Sequence, residues 1–539
     1  MGENVAPTRA VDRSEPAEST AGTIRRNPAT RAVLGSSPIH SAAQARDAIA
    51  AARAAQAGWA AQPLKVRVRG IRQVCDQIVA RADEIAELIA AEVGKTRIDA
   101  LATEVMPSVI AGRYYARRAG RFLKPRTLGR SSLLFANKRS RIYRVPHGVA
   151  GIISPWNYPL GIPMHEILPA LLAGNAVVFK TAPETQGVGQ LIDELMQAAQ
   201  LPDGVFTHLN LPGTTAGDVF LSADGVDKLF FTGSVAVGKT LMARAAETLT
   251  PLSLELGGND AMLVCDDANI ERAVNGAVWA GLQNAGQTCA GVERIYVHHA
   301  VYGAFMSLLR ERVEGLRVGL DTEHDVDIGA MCTDRQSAKV RHQIDDALAR
   351  GARIHAQVSV PPAHCDGNFL PVTVLADVNH EMALMREETF GPVLGVMSVT
   401  DMDQAVELAN DSMLGLTGSV WSRDRRRALA IGRRIRAGAI TLNDHLMSHG
   451  LAETPWGGFG DSGIGRSHGE FGFDEMTEPQ VVVTERLPFL RRNLFWHPYS
   501  PELYRGLKGL LTALYGRGGI ARLRGLGAVA PILGRMFRS

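Results

Sequence analysis

The sequence predicts an α/β protein with a doubly wound parallel sheet and a second α/β domain beside it. Two observations lead there. From Val149 the strand-like runs GVAGIIS, NAVVFK, VFTHLNL, DKLFFTG, LSLELGG and DAMLVC alternate with amphipathic segments such as Thr185–Gln200 and Val235–Thr248. Parallel strands need crossover connections, and this alternation supplies them. After Asn269 a second helix-then-strand series runs through ERIYVHH, KVRHQIDDALARGARI and GPVLGVMSV. At 539 residues the chain has room for about three units of ordinary size.

Ahead of the strands the pattern is helical. Residues Ser41–Ala60 place Ala, Arg and apolar positions at helical spacing behind a capping Ser. Val66–Val93 reads as a second helix with Val74, Ile78, Ile85 and Ile89 on one stripe. Asp99–Ala119 reads as a third, with a kink expected at Pro107. The run LGRSSLLFANKRSRIYRVPHG alternates with Arg and Lys on its polar phase, as an exposed hairpin does. Residues 1–22, rich in Ser, Pro, Ala and Glu, read as a disordered tail.

A net charge of +3 gives no reason to expect nucleic acid as a partner. The five cysteines, Cys75, Cys265, Cys289, Cys332 and Cys365, form no CxxC pair and no zinc-spaced cluster. That argues against a disulfide framework and against a bound metal, and it suits a reducing, cytoplasmic setting. The N-terminus has no apolar signal region. Ala6 stands where a myristoylation motif needs Ser or Thr. No apolar run is long enough for a membrane-spanning helix.

The C-terminus differs in composition. Residues 485–539 carry ten Lys or Arg against Glu485 and Glu502, a net +8 that leaves about −5 for the rest of the chain. A helix starting at Ser500 places Leu503, Leu507, Leu510, Leu511 and Leu514 on one face, with Phe489, Phe495 and Trp496 just ahead. Two readings stand: a basic amphipathic helix at a membrane surface, or a helix packed on the protein.

Four segments carry candidate chemistry. SPWNYP, residues 154–159, ends an apolar strand and is by itself a Pro-bounded turn. FFTGSVAVGK, residues 230–239, runs from strand through Gly233-Ser234 into a helix, a layout whose backbone amides suit a phosphate, although GxGxxG is absent. LELGGND, residues 254–260, sets Glu255 in an apolar run, and burying a lone carboxylate is costly unless it is paired or has a task. NAGQTCAGVERIYVH, residues 284–298, sets Cys289 among small residues where a thiol is reachable; a lone Cys is otherwise an inert small hydrophobe.

Taken in order, SPWNYP, Lys180 after a strand, FTGS, ELGG, GQTC, EETFGPV (387–393) and PWGGFGDSGIGR (455–466) resemble the aldehyde dehydrogenase superfamily over residues 24–485. VMSVTDMDQAVELANDS and TLNDHLMSHG look most like a branch acting on lipophilic aldehydes, including carotenoid dialdehydes, and on succinic semialdehyde. The resemblance implies a Rossmann-like dinucleotide-binding domain at 23–127 and 148–255 and an α/β catalytic domain at 256–446. It also implies a small β oligomerisation element at 128–147 and 447–484, leaving 485–539 as an extension. A homodimer or tetramer is implied, with NAD or NADP as cofactor.

Residue by residue, the resemblance implies that Cys289 is the nucleophile, Glu255 the general base that activates it through water and hydrolyses the thioester, and Asn157 an oxyanion donor. For the cofactor it implies Ser154, Pro155, Trp156, Lys180, Glu184, Gly213, Gly217, Phe231, Gly233, Ser234, Leu256, Gly257, Glu388 and Phe390. Lys180 reaches the adenosine ribose, Gly233-Ser234 the pyrophosphate, and Glu388 with Phe390 the nicotinamide ribose and ring; a solvated Glu387-Glu388 pair is the plainer alternative.

Two departures stand out. Pro183 occupies the place of a Glu that favours NAD, with Glu184 one residue later, so NAD and NADP both stay open. His165-Glu166 stands where relatives carry an aromatic or Arg followed by Lys, which removes the usual substrate-carboxylate clamp and the usual proton path unless Glu166 or water serves. Three functions remain in play: oxidation of an uncharged apolar aldehyde to its acid, a semialdehyde dehydrogenase, and a catalytically silent scaffold. Transfer of the acyl group to coenzyme A is a further variant, against which Glu255 speaks.

Overall fold

The structure, a computed structural model, describes residues 22–537, so the expected N-terminal tail lies almost wholly outside the described residues. The first parallel sheet contains β1 (Val149–Ile153), β2 (Ala176–Lys180), β3 (Phe206–Leu209), β4 (Lys228–Thr232) and β5 (Leu252–Glu255). Their spatial order is β5-β4-β1-β2-β3, with the two-residue strand Gly463–Ile464 pairing antiparallel to β5. Chain order reverses at β1, the switch point where doubly wound sheets open a crevice at their C-terminal strand ends.

The second sheet is built from β6 (Asp260–Val264), β7 (Val292–His298), β8 (Arg353–Val358), β9 (Val372–Ala376), β10 (Val393–Val399), β11 (Thr417–Trp421) and β12 (Ala439–Leu442). Its order is β8-β9-β10-β7-β6-β11-β12, parallel except for the β8–β9 pair. DAMLVC therefore opens the second sheet rather than closing the first. An apolar pattern marks a buried strand without saying which sheet receives it; Gly257-Gly258 is the break at which the chain crosses over.

Helix Ala42–Ala61 begins as the sequence predicts, with Ser41 and Gln44 forming a reciprocal capping box. The expected Val66–Val93 helix is two, Leu64–Ala80 and Ala82–Val93. Arg81 leaves helical geometry between them and bridges Glu84 and Glu194 at 2.6 and 2.8 Å. The apolar stripe runs through the break because both pieces bury their faces in one core. Pro107 lies in the first turn of helix Met106–Phe122, directly after a π-helical turn at Leu101–Val105.

Among the described residues two compact units are distinguishable: 22–123 with 145–478, and 124–144 with 479–537. Residues 447–478 belong to the larger, so the expected bridging segment 447–484 gives the smaller unit only its end. Arg126–Thr127 pairs antiparallel with Lys138–Pro146, so only the second strand falls within the predicted hairpin segment and the first precedes it; Thr477–Glu485 lies on the other side of Lys138–Pro146. The tail helix is present as Pro501–Tyr515, capped by Ser500. A second helix, Gly519–Leu533, was not foreseen; it folds back on the first. Three glycines and the internal Pro531 hide it from propensity, and pairing with Pro501–Tyr515 overrides that cost.

Candidate active site

SPWNYP follows β1 directly, and the Ser154 amide donates to the Lys180 carbonyl at 3.1 Å, tying the motif to the end of β2. Next comes helix Gly161–Ala173, buried on every side as a central helix must be. Its first turn is held by Glu104, which accepts from the Leu160 and Gly161 amides at 2.8 and 3.1 Å. Glu104 sits in the π-helical turn and pairs with Lys95 at 2.8 Å, and Lys95 donates to the Asn157 carbonyl at 2.7 Å. A buried ion pair thus fixes the backbone of Asn157. Its side-chain amide donates to the Gln287 carbonyl at 3.0 Å, keeping a second N–H available.

Cys289 follows a strained loop. Asn284, Ala285 and Gly286 are all left-handed, at φ of 55°, 53° and 71°. Such backbone persists only where neighbours enforce it. Here Asn284 donates to the Asn157 and Gln287 carbonyls at 3.0 and 3.2 Å. A Cβ on Gly286 would lie 2.0 Å from the Gly391 carbonyl oxygen, so only glycine fits. The thiol lies at the base of a funnel of about 270 Å³ whose lining contains no Asp, Glu, Lys or Arg. Met106, Ile110, Trp279 and Met447 line this funnel and are each more than 40% exposed.

Glu255 ends β5 and shares a small inner cavity with Cys289, Glu166, His165, His449 and His468. Burial raises the Glu255 carboxyl well above the usual range, and Glu166 adds to the shift. Burial likewise pushes the Cys289 thiol up, with the Glu388, Asp260 and Glu255 carboxyls adding to it. Both groups rest neutral. Glu166 is raised to about 8 by burial. His165 turns into this cavity and accepts or donates to the Tyr115 hydroxyl at 3.1 Å through Nδ1. It does not line the funnel.

The implied cofactor residues gather at the C-terminal ends of β1, β2, β4 and β5. Gly233 follows β4, and Ser234 caps helix Val235–Thr248, leaving the positive helix end at the crevice. Phe231 packs against Gly233, where a Cβ would meet its ring at 2.6 Å. Lys180 is lowered to about 8 by burial, with Glu184 opposing the shift. Gly213 opens helix Gly213–Phe220 with free space beside it, whereas Gly217 faces Leu241 and serves helix packing. The Ser154 hydroxyl is buried without a partner, the kind of orphan a bound polar ligand satisfies.

The nicotinamide-side residues converge as well. Trp156 and Phe390 meet edge to face at 5.6 Å. Glu388 accepts from the Gly258 amide at 3.1 Å and is raised to about 8 by burial. A Cβ on Gly257 would stand 2.6 Å from the Glu388 carboxylate, while Leu256 packs on Gly238. The solvated Glu387-Glu388 pair is not what forms, since Glu388 points inward. These groups fit a dinucleotide laid across the crevice.

Sequence reading missed the supports. Glu293 on β7 accepts from the Thr389 and Phe390 amides at 2.9 and 2.8 Å and from Asn259 at 2.8 Å, so it holds the loop carrying Glu388. An acid inside an apolar strand, the signal that drew attention to Glu255, was there to find it. Lys95, Glu104, His449 and His468 carry no local signal.

Comparison with known proteins agrees with this geometry. The aldehyde dehydrogenase family matches residues 16–482. A 4,4'-diapolycopene aldehyde oxidase of Methylomonas sp is 38% identical over 90% of this chain and 89% of that protein. A putative NADP(+) succinate-semialdehyde dehydrogenase of Mycobacterium ulcerans is 37% identical over 84% and 86%. The NAD+ complex of an aldehyde dehydrogenase from Bacillus cereus superimposes with a TM-score of 0.81 at 30% identity, covering 86% of this chain and 93% of that one.

Proposed function

The chain belongs to the aldehyde dehydrogenase family, an oxidoreductase acting on aldehydes with NAD or NADP, and from that premise we propose that it oxidises an uncharged, apolar aldehyde to the acid through a covalent Cys289 thioester. The observation that carries this is the funnel: apolar, free of charged lining, and closed by Cys289. A substrate carboxylate finds no cation there, which disfavours the semialdehyde reading despite the relatives of that name. Uncharged aliphatic aldehydes should therefore exceed succinic semialdehyde in kcat/KM. A chain-length series run with NAD and with NADP tests it, and the reverse ranking overturns it.

The Cys289 sulfur attacks the aldehyde carbon as its proton passes to water and out to solvent. Asn157 and the Cys289 amide hold the resulting oxyanion. Trp156, Phe390 and Glu388 would hold the nicotinamide end, and Gly233, Ser234 and Lys180 the rest; when bound, the dinucleotide accepts the hydride that turns the thiohemiacetal into a thioester. Glu255, once ionised, takes a proton from the water that adds to the thioester, the C–S bond breaks, the Cys289 sulfur regains a proton from solvent, and the acid leaves. Asn157→Ala should lower kcat by ~10²–10³. A kcat within a few-fold of the parent would reduce SPWNYP to a turn. Product analysis with and without coenzyme A separates hydrolysis from acyl transfer.

Residues 487–539 form, in this reading, a peripheral membrane contact. The paired helices bury Leu503 and Ile532 between them, with Leu507 and Leu510 partly covered. What they leave outward differs from the leucine face the sequence suggested: Leu511, Tyr515, Ile520, Leu523 and Leu526 are 56–71% exposed. Exposed apolar residues among Lys508, Arg517, Arg522 and Arg524 match an anionic bilayer, which offers ~1 kcal/mol per basic residue. Among the described residues no helix is long and apolar enough to cross a membrane. Leu511→Glu with Leu523→Glu and Leu526→Glu should abolish co-sedimentation with phosphatidylserine vesicles and spare activity on a short soluble aldehyde. Loss of oligomeric state instead would make the tail an assembly element. The exposed Val481, Val482 and Val483 on Thr477–Glu485 suit a homodimer or tetramer contact.

A further inference from the structure

We propose that His165, His449 and His468, together with Glu166, form a proton path that carries the proton from Glu255 to the substrate funnel after each thioester hydrolysis. The inference rests on Glu255 being the deacylating base. Its starting point is a concentration of unsatisfied polar atoms. His165 Nε2, Glu166 Oε2, Glu255 Oε2, Thr232 Oγ1 and both ring nitrogens of His468 are buried without partners. More than nine in ten buried polar groups are normally paired, so their gathering in one place calls for an occupant or a task. All of them line one cavity of about 20 Å³, enough for a single water.

The rings pack closely, and because His165 Nε2 and both His468 nitrogens have no hydrogen-bond partner, the cavity water is what bridges them. The centroids of His165 and His468 are 3.9 Å apart, and His449 stands 5.2 Å from the first and 5.1 Å from the second. His449 lines both the inner cavity and the funnel, so it is the exit. Burial lowers all three imidazoles, His449 to about 4. A neutral imidazole accepts on one nitrogen and donates from the other, which a relay needs.

The step balances. The Glu255 O–H breaks, the proton passes through the cavity water to Glu166 or an imidazole nitrogen, and an N–H on the far side of each ring breaks as the next forms. His449 releases one proton to water in the funnel, the imidazoles and Glu166 end neutral, and Glu255 is left as the carboxylate that the next hydrolysis uses. The groups facing the cluster are Tyr115 from helix Met106–Phe122, Glu166 from the His165 helix, Glu255 from β5, and Cys289 from the loop before β7. Arg466 and Glu475 act on Glu255, and Glu453 acts on Tyr115. No lysine appears among them, so the carboxyl and the imidazoles are the groups that can carry the proton.

The test is deacylation of the full-length chain with an activated ester such as p-nitrophenyl acetate, which needs no dinucleotide. His449→Ala should slow deacylation by about tenfold or more while a burst of p-nitrophenol is still seen, and the lost rate should recover in imidazole buffer. Parent enzyme should show a bowed proton inventory in mixed H₂O and D₂O. Deacylation within twofold of the parent, or a loss that imidazole does not restore, overturns the path. If His449→Ala does not fold, the parent inventory decides, since a linear dependence means one proton in flight and no relay. Glu255→Gln run alongside keeps the two claims apart: slow deacylation there with a normal His449→Ala removes the path alone, and normal deacylation there removes the base.

Discussion

Cys289→Ala abolishes aldehyde oxidation, by on the order of 10⁴-fold or more, and leaves dinucleotide binding unchanged. The proposed nucleophile is lost, whereas Trp156, Lys180, Gly233, Ser234, Glu388 and Phe390, proposed to hold the dinucleotide, keep their places. No other thiol substitutes: among the described residues Cys289 alone of the five cysteines lines the funnel. Cys75 and Cys265 are buried in the two cores, Cys332 points to the Glu92 carbonyl at 3.7 Å, and Cys365 is on the surface. Because burial and nearby carboxyls raise the Cys289 thiol, it is protonated at neutral pH, and the thiolate fraction grows as pH climbs. Iodoacetamide should therefore inactivate the parent faster at pH 9 than at pH 7, without effect on dinucleotide affinity. Kcat with fluorescence titration of the dinucleotide checks the variant, and substantial residual turnover refutes the role of Cys289.

The parts of the site that were legible in the sequence are those where one short segment does the work. The strand-to-Gly233-Ser234-to-helix turn, the apolar strand ending in Glu255 and the small-residue run around Cys289 each announce a backbone task that few residues satisfy. The helix start at Ser41 was legible for the same reason. What escaped depends on distant segments. Glu104 matters because a π-helical turn aims it at the first amides of a helix more than fifty residues on, and no periodicity carries that. His165 looked like a vacated clamp, yet its ring faces His468, some three hundred residues away, and not the funnel. The second tail helix escaped because local preference opposed it and its partner helix decided it.

Glu255→Gln should split the reaction: the first turnover survives as a burst of reduced dinucleotide, and steady-state turnover falls by ~10²–10⁴. The substitution keeps the shape of the side chain and the pairing of Gly463 with β5, so binding and the Cys289 loop are undisturbed. It removes the only ionisable proton acceptor at this position. Thioester formation can use water to take the thiol proton, particularly as pH rises. Hydrolysis cannot proceed so readily, because the attacking water must lose a proton inside a cavity that excludes bulk solvent. Burial and Glu166 hold Glu255 protonated at rest, so deacylation in the parent should accelerate as pH increases and the carboxyl ionises. In Glu255→Gln that limb disappears from the deacylation profile, while the alkaline rise of the burst rate, which belongs to Cys289, remains. Stopped-flow absorbance of the reduced dinucleotide resolves both phases. A burst that vanishes together with turnover would assign Glu255 to thiol activation instead of thioester hydrolysis.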